Sequence, residues 1–121
     1  MSYFYMSNID DFAQVQSPSA AYQDIGIYSN GAAETPANGV ITFTDINGIN
    51  QEASFLMIRA YNTNNLLLQL YPYNYGVYVP AGELWAVDSL RKVEKIIVRN
   101  IFDTDGNPIS SGKIQWMLGY K

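Results

Sequence analysis

The sequence contains no histidine and no cysteine, and only 15% of its 121 residues are charged. Without histidine it lacks the side chain most often used as a general base and as a metal ligand, so nucleophilic triads built on an imidazole are excluded. Without cysteine there is no disulfide framework and no thiolate zinc site, and the fold must be held by packing. The charged fraction falls below the roughly one quarter usual for soluble domains, which leaves the surface to neutral polar side chains. A net charge of −4 argues against nucleic acid as a partner, because phosphate binding draws on clustered Lys and Arg. Arg91, Lys92, Lys95 and Arg99 do form a short basic cluster, but Glu94, Asp88 and Asp103 dilute it, and it reads as a solvated strand edge. No stretch approaches the ~20 apolar residues of a membrane-spanning helix. The start, Met1 to Met6, has neither the positive charge nor the apolar run of a secretory signal, so a protein made in the cytoplasm and soluble there is expected, with no membrane partner.

What is present is an apolar fraction of 48% and ten tyrosines, enough for one domain with a hydrophobic core. Residues 1–39 are rich in Ser, Asn, Ala and Pro, with breakers at Pro18, Asn30-Gly31, Pro36 and Asn38-Gly39. They predict an extended N-terminal arm with short strands. Its apolar anchors, Tyr3, Phe4, Tyr5 and Phe12, then Ile25, Ile27 and Tyr28, imply that the arm packs on its own domain or on a neighbouring subunit.

Residues 40–121 predict a β-sandwich core. Alternation over Val40 to Ile46, the Asn47-Gly48 turn and a second apolar run over Ala53 to Ala60 predict a β-hairpin. Leu66, Leu68 and Leu70 face one way, and Leu67, Gln69 and Tyr71 the other. Pro72 ends that run too soon for a stable helix, and the strand formers of Tyr73 to Val79 follow. Pro80-Ala81-Gly82 predicts a turn with proline at its first central position. Glu83 to Lys92 reads as a strand and a turn. Lys95 to Phe102 has apolar residues on both faces and so predicts a central strand. Lys113 to Lys121 shows the cleanest alternation, with Ile114, Trp116, Leu118 and Tyr120 on one face. The pattern is that of an all-β, single-domain antiparallel sandwich or small barrel, of jelly-roll or Ig-like type.

Little here points to catalysis. The acids, among them Asp10, Asp11, Asp24, Glu34, Glu52, Glu83 and Asp88, are scattered, and no cofactor, metal or enzymatic activity is expected. Asp103-Thr-Asp-Gly-Asn107 opens like a calcium loop, but Gly106 stands fourth rather than sixth and Pro108 takes the sixth place, so it reads as a hairpin connection. The aromatic group Tyr71, Tyr73, Tyr75, Tyr78 and Trp85 has two readings, core and cross-strand packing or a contact surface. Because Tyr71, Tyr73 and Tyr75 bracket Pro72, Asn74 and Gly76 at a hairpin tip, some of them are expected to be exposed.

Three segments carry a resemblance: Val77-Tyr-Val-Pro-Ala-Gly-Glu83, Val93-Glu-Lys-Ile-Ile-Val-Arg-Asn100 and Gly112-Lys-Ile-Gln-Trp116. Together they resemble the small β-sandwich virion proteins of tailed bacteriophages, of the capsid decoration and head-associated type. That resemblance implies a non-enzymatic virion component, made in the host cytoplasm and bound to other virion proteins, the major capsid protein first among them, with a homo-oligomer as a further expectation. The candidate contact residues are then Tyr3, Phe4, Tyr5, Phe12, Tyr71, Tyr73, Tyr75 and Tyr78. The alternative is a carbohydrate-binding module or a tail-associated receptor-binding domain that stacks the same exposed aromatics on sugar rings.

Overall fold

Alternating apolar residues separated by turn formers leave the chain one way to bury its hydrophobic faces, which is to stack sheets. The computed structural model describes residues 14–16, 22–28, 39–42, 55–87 and 93–120. Among these residues there are ten strands and no helix, hence none that could cross a membrane. The strands are β1 (Gln14–Gln16), β2 (Gln23–Gly26), β3 (Val40–Thr42), β4 (Phe55–Ala60), β5 (Asn65–Tyr71), β6 (Tyr75–Val79), β7 (Leu84–Val87), β8 (Lys95–Phe102), β9 (Pro108–Ile109) and β10 (Ser111–Tyr120).

They form two five-stranded antiparallel sheets. In the first, β10 lies between β4 and a composite edge made of β1 and β2, and β7 lies beyond β4. In the second, β8 lies between β5 and a composite edge made of β3 and β9, and β6 lies beyond β5. The pairing is nested: β5 with β6, β4 with β7, β3 with β8 and β2 with β10. Four concentric antiparallel pairs split between two sheets describe a hairpin wound into a jelly roll, one of the two expected windings.

The segment after β2 joins the sheets. Tyr28 donates its N–H to the Val98 carbonyl of β8 at 2.7 Å, and Val98 N–H donates to the Gly39 carbonyl at 2.7 Å. Residues 23–28 therefore begin on β10 in one sheet and end on β8 in the other, as strands do at sandwich corners.

Between the sheets, Leu66, Leu68, Leu70, Val77, Val79, Ile96, Val98 and Ile101 meet Ile25, Leu56, Ile58, Ile114 and Trp116 in one buried cluster. The Trp116 indole N–H donates to Gln23 Oε1 at 2.9 Å, which satisfies the polar atom of a ring that is otherwise buried. A bulge in β8 sets the spacing of its inward residues: Leu67 faces Asn100 and Leu68 faces Val98, so Arg99 is the extra residue. Val98 and Ile101 both turn inward, three positions apart, because of it.

Several expectations need correction. The segments at 40–46 and 53–60 do not form a hairpin, because β3 pairs with β8 in one sheet while β4 pairs with β10 and β7 in the other. Turn chemistry at Asn47-Gly48 speaks only of local geometry, and the apolar faces of these strands are satisfied by partners distant in sequence. The turn after β6 lies one residue later than expected: Glu83 N–H donates to the Pro80 carbonyl, so Pro80 is its first residue, with Ala81 and Gly82 central. Gly82 has φ +75°, which suits glycine at the second central position. The basic residues Lys95 and Arg99 are not on a strand edge, since β8 is paired on both sides. Arg91 and Lys92 lie outside the described residues.

The Asp103 loop is a hairpin connection between β8 and β9. Asp103 Oδ1 accepts the N–H groups of Asp105 and Asn107, both at 2.9 Å, and Gly106 takes φ +87°. This is the Asx-turn use of an aspartate.

Candidate functional site: the tyrosine face of the second sheet

The inward set Leu66, Leu68 and Leu70 fixes what β5 shows to solvent. By period two, Leu67, Gln69 and Tyr71 lie on the outer face. Register then places Tyr78 opposite Leu67 and Gly76 opposite Gln69 on β6, and Lys95 opposite Tyr71 on β8. Tyr71 is 37% exposed and Tyr78 54%. Gly76 lies between them along the face, with open space where a side chain would stand, so the two rings flank a gap.

Cations brace this face. The Lys95 ammonium sits 4.4 Å from the centre of the Tyr71 ring, and the Arg99 guanidinium sits 5.2 Å from the centre of the Tyr28 ring. Arg99 also donates from Nε to Gln69 Oε1 at 2.8 Å and from its second amino group to the same oxygen. Gln69 in turn donates from Nε2 to the Tyr73 carbonyl at 3.0 Å. The bulge at Arg99 thus links β2's continuation, β5 and the hairpin tip through one guanidinium and one carboxamide. Cation–π contacts of this kind hold ring orientation while leaving much of the ring in solvent.

The hairpin tip carries the other two tyrosines. Tyr75, opposite Leu70, sits at an inward position beyond the end of the core and is 56% exposed. Its ring stacks on that of Tyr73, with centroids 5.5 Å apart and planes 26° from parallel, and Tyr73 packs against the core cluster. The peptide between Tyr71 and Pro72 is cis.

The four tyrosines singled out in this hairpin therefore divide into two groups, Tyr71 and Tyr78 on the outer face and Tyr73 with Tyr75 at the tip. Trp85 belongs with neither, being packed against the core from β7. Tyr3, Phe4, Tyr5 and Phe12 lie outside the described residues. Sequence reasoning missed Tyr28, Gln69, Lys95 and Arg99 as members of the face. Period two on β8 puts Lys95 and Arg99 outward, but it does not reveal that Tyr28, carried across from β2 onto β8, supplies the ring for the Arg99 guanidinium. Among the described residues no group of three or more carboxylates could hold a metal ion.

Comparison of the chain with protein-family models, with curated proteins and with solved structures gives no match.

Proposed function

We propose that the chain is a non-enzymatic binding protein that uses the β5–β6 tyrosine face as its contact surface. On the resemblance carried by Val77 to Glu83, Val93 to Asn100 and Gly112 to Trp116, we place it as a structural component of a tailed-bacteriophage virion attached to the major capsid protein. The jelly roll serves capsid and lectin domains alike, so the winding itself selects no partner. The observation that carries the reading is the exposure of Tyr71, Tyr75 and Tyr78 on paired strands rather than on a loop. Tyrosines held this way offer large contact area with little ordering entropy, and they are favoured at the energetic centres of protein interfaces.

The test is co-sedimentation of the purified protein with tailed-phage capsids lacking decoration. Saturable binding is expected, weakened about tenfold or more by the Tyr71→Ala/Tyr78→Ala double variant, as for hot-spot tyrosines. Binding that is absent, or indifferent to these substitutions, removes the reading.

A second reading rests on the Tyr73–Tyr75 stack, whose exposed member could lie on a sugar ring in a receptor-binding or carbohydrate-binding role. Glycan binding lost on Tyr73→Ala and Tyr75→Ala, with no capsid binding, would favour it.

A further inference from the structure

A buried carboxamide between β4 and β5, seated against β10, points to a second site. The chain crosses from β4 to β5 through Tyr61 to Asn64, and Asn64 is the one buried polar residue among those described, 6% exposed. Its Oδ1 accepts the Lys113 N–H of β10 at 2.9 Å, while the Lys113 carbonyl accepts Tyr61 N–H at 3.4 Å. A β-carbon on Gly112 would stand 2.8 Å from Asn64 Cγ and Oδ1, so the absence of a side chain at Gly112 is what admits the carboxamide. The Asn64 amide nitrogen makes no hydrogen bond to any described residue. Among the described residues this buried donor is without an acceptor, and a buried donor is stabilised by any acceptor that reaches it.

Asn64 lines an open pocket of about 530 Å³ whose other walls include Asp24, Tyr61, Thr63, Ser111 and Lys113. That volume is within the range of small-molecule sites. The polar groups are mixed in kind. Asp24 supplies acceptors only, Asn64 a donor, and Thr63 and Ser111 hydroxyls that serve as either. Asp24 and Lys113 face each other across β2 and β10 and pair through one carboxylate oxygen at 2.7 Å, so the pair adds no net charge to the site while the other oxygen remains an acceptor. Tyr61 adds an aromatic surface, held in place by edge-to-face contact with Tyr22 at 5.0 Å. Paired donors and acceptors beside a ring match a ligand that carries hydroxyls along one edge and C–H groups on one face.

We propose that this pocket binds a neutral sugar or polyol, with Asn64 Nδ2 donating to one hydroxyl, Asp24 accepting from another and Tyr61 packing on the apolar face. The site is independent of the tyrosine face of the second sheet and of any capsid partner.

The test is nitrogen-15 NMR of the full chain titrated with glucose, galactose, mannose, N-acetylglucosamine and glycerol at millimolar concentrations. At least one of them is expected to shift the Asn64 side-chain amide and the Lys113 backbone amide saturably. Asp24→Ala, a change at an exposed residue that leaves the core untouched, is expected to weaken that binding about tenfold, the effect of one charge-assisted hydrogen bond. Three results would overturn the proposal: no saturable shift at Asn64 and Lys113 with any of these ligands, undiminished affinity in Asp24→Ala, or shifts confined to Tyr71, Tyr75 and Tyr78.

Discussion

Gly39 is pressed against the backbone at Ile27: a β-carbon on Gly39 would lie 2.6 Å from the Ile27 carbonyl carbon and 2.5 Å from both the Gly26 oxygen and the Tyr28 nitrogen. The obstacle is main chain, which cannot rotate aside as a side chain could. This close approach is where the strand leaving β2 passes from one sheet to the other, next to the Val98 hydrogen bonds that close the corner.

Gly39→Ala is therefore expected to lower the unfolding free energy by about 3 kcal/mol, the upper part of the usual range for overpacking. Gly76→Ala provides the contrast, because a methyl there meets nothing within 4 Å. It should be neutral or stabilising by up to about 1 kcal/mol through a less flexible unfolded chain. Urea denaturation of both variants checks the pair of outcomes, and equal stabilities would contradict the packing at Gly39.

Asn64→Ala should destabilise by about 1–3 kcal/mol, because it strands the Lys113 N–H that Oδ1 now accepts. Gly112→Ala should do similar damage by another route, driving the carboxamide out of its seat. If the two act on one contact, the double variant will be less destabilised than the sum of the singles. Strict additivity in denaturation experiments would show that Gly112 and Asn64 are not coupled.

Lys95 and Tyr71 should show a coupling of about 0.5–1 kcal/mol in a double-mutant cycle with alanine, as expected of an exposed cation–π contact. The coupling should survive added salt better than that of Lys113 with Asp24, whose groups are 44% and 86% exposed. A cycle giving zero would remove Lys95 from its bracing role.

The Asp24 carboxylate, through a hydrogen bond and then through its charge, raises the pKa of Lys113 above the ordinary 10.5. A lysine whose pKa is higher folded than unfolded favours the folded state while the pH is below 10.5, and that contribution fades as pH rises through the folded value. Wild type should lose stability on this alkaline limb more steeply than Lys113→Met does. Because the ammonium is solvent-exposed the difference will be small, and superimposable alkaline limbs would dismiss the linkage.

Much of the architecture was legible in the chain itself. Leu66, Leu68 and Leu70 announce an inward face because strand periodicity is a local property, and the tip at Pro72 to Asn74 follows from turn chemistry. Strand neighbours were not legible, as the β3 and β4 segments show: alternation tells which face is buried but says nothing of which strand lies alongside. The tyrosine face was half legible. Tyr71, Tyr78 and the outward side of Arg99 follow from period two, whereas the Tyr28 ring beside Arg99 comes from a strand that crosses between the sheets, which no motif marks. Asn64 was hidden for a related reason. Within Asn62-Thr63-Asn64-Asn65 it looks like any turn residue, and only the glycine at 112, far along the chain, creates the space that buries it.

Nested pairing also carries a consequence for synthesis. Asp24 and Lys113 are 89 residues apart in sequence yet face each other in the finished sheet. As the chain leaves the ribosome from its N-terminal side, β5 and β6 can pair early, but β2 must wait for β10, and the core stays open along that edge until then. Non-local closure of this kind is slow and exposes apolar strands while it is pending. The pocket beneath Asn64 is assembled by that last step, so a ligand there would be read only by molecules that have completed folding.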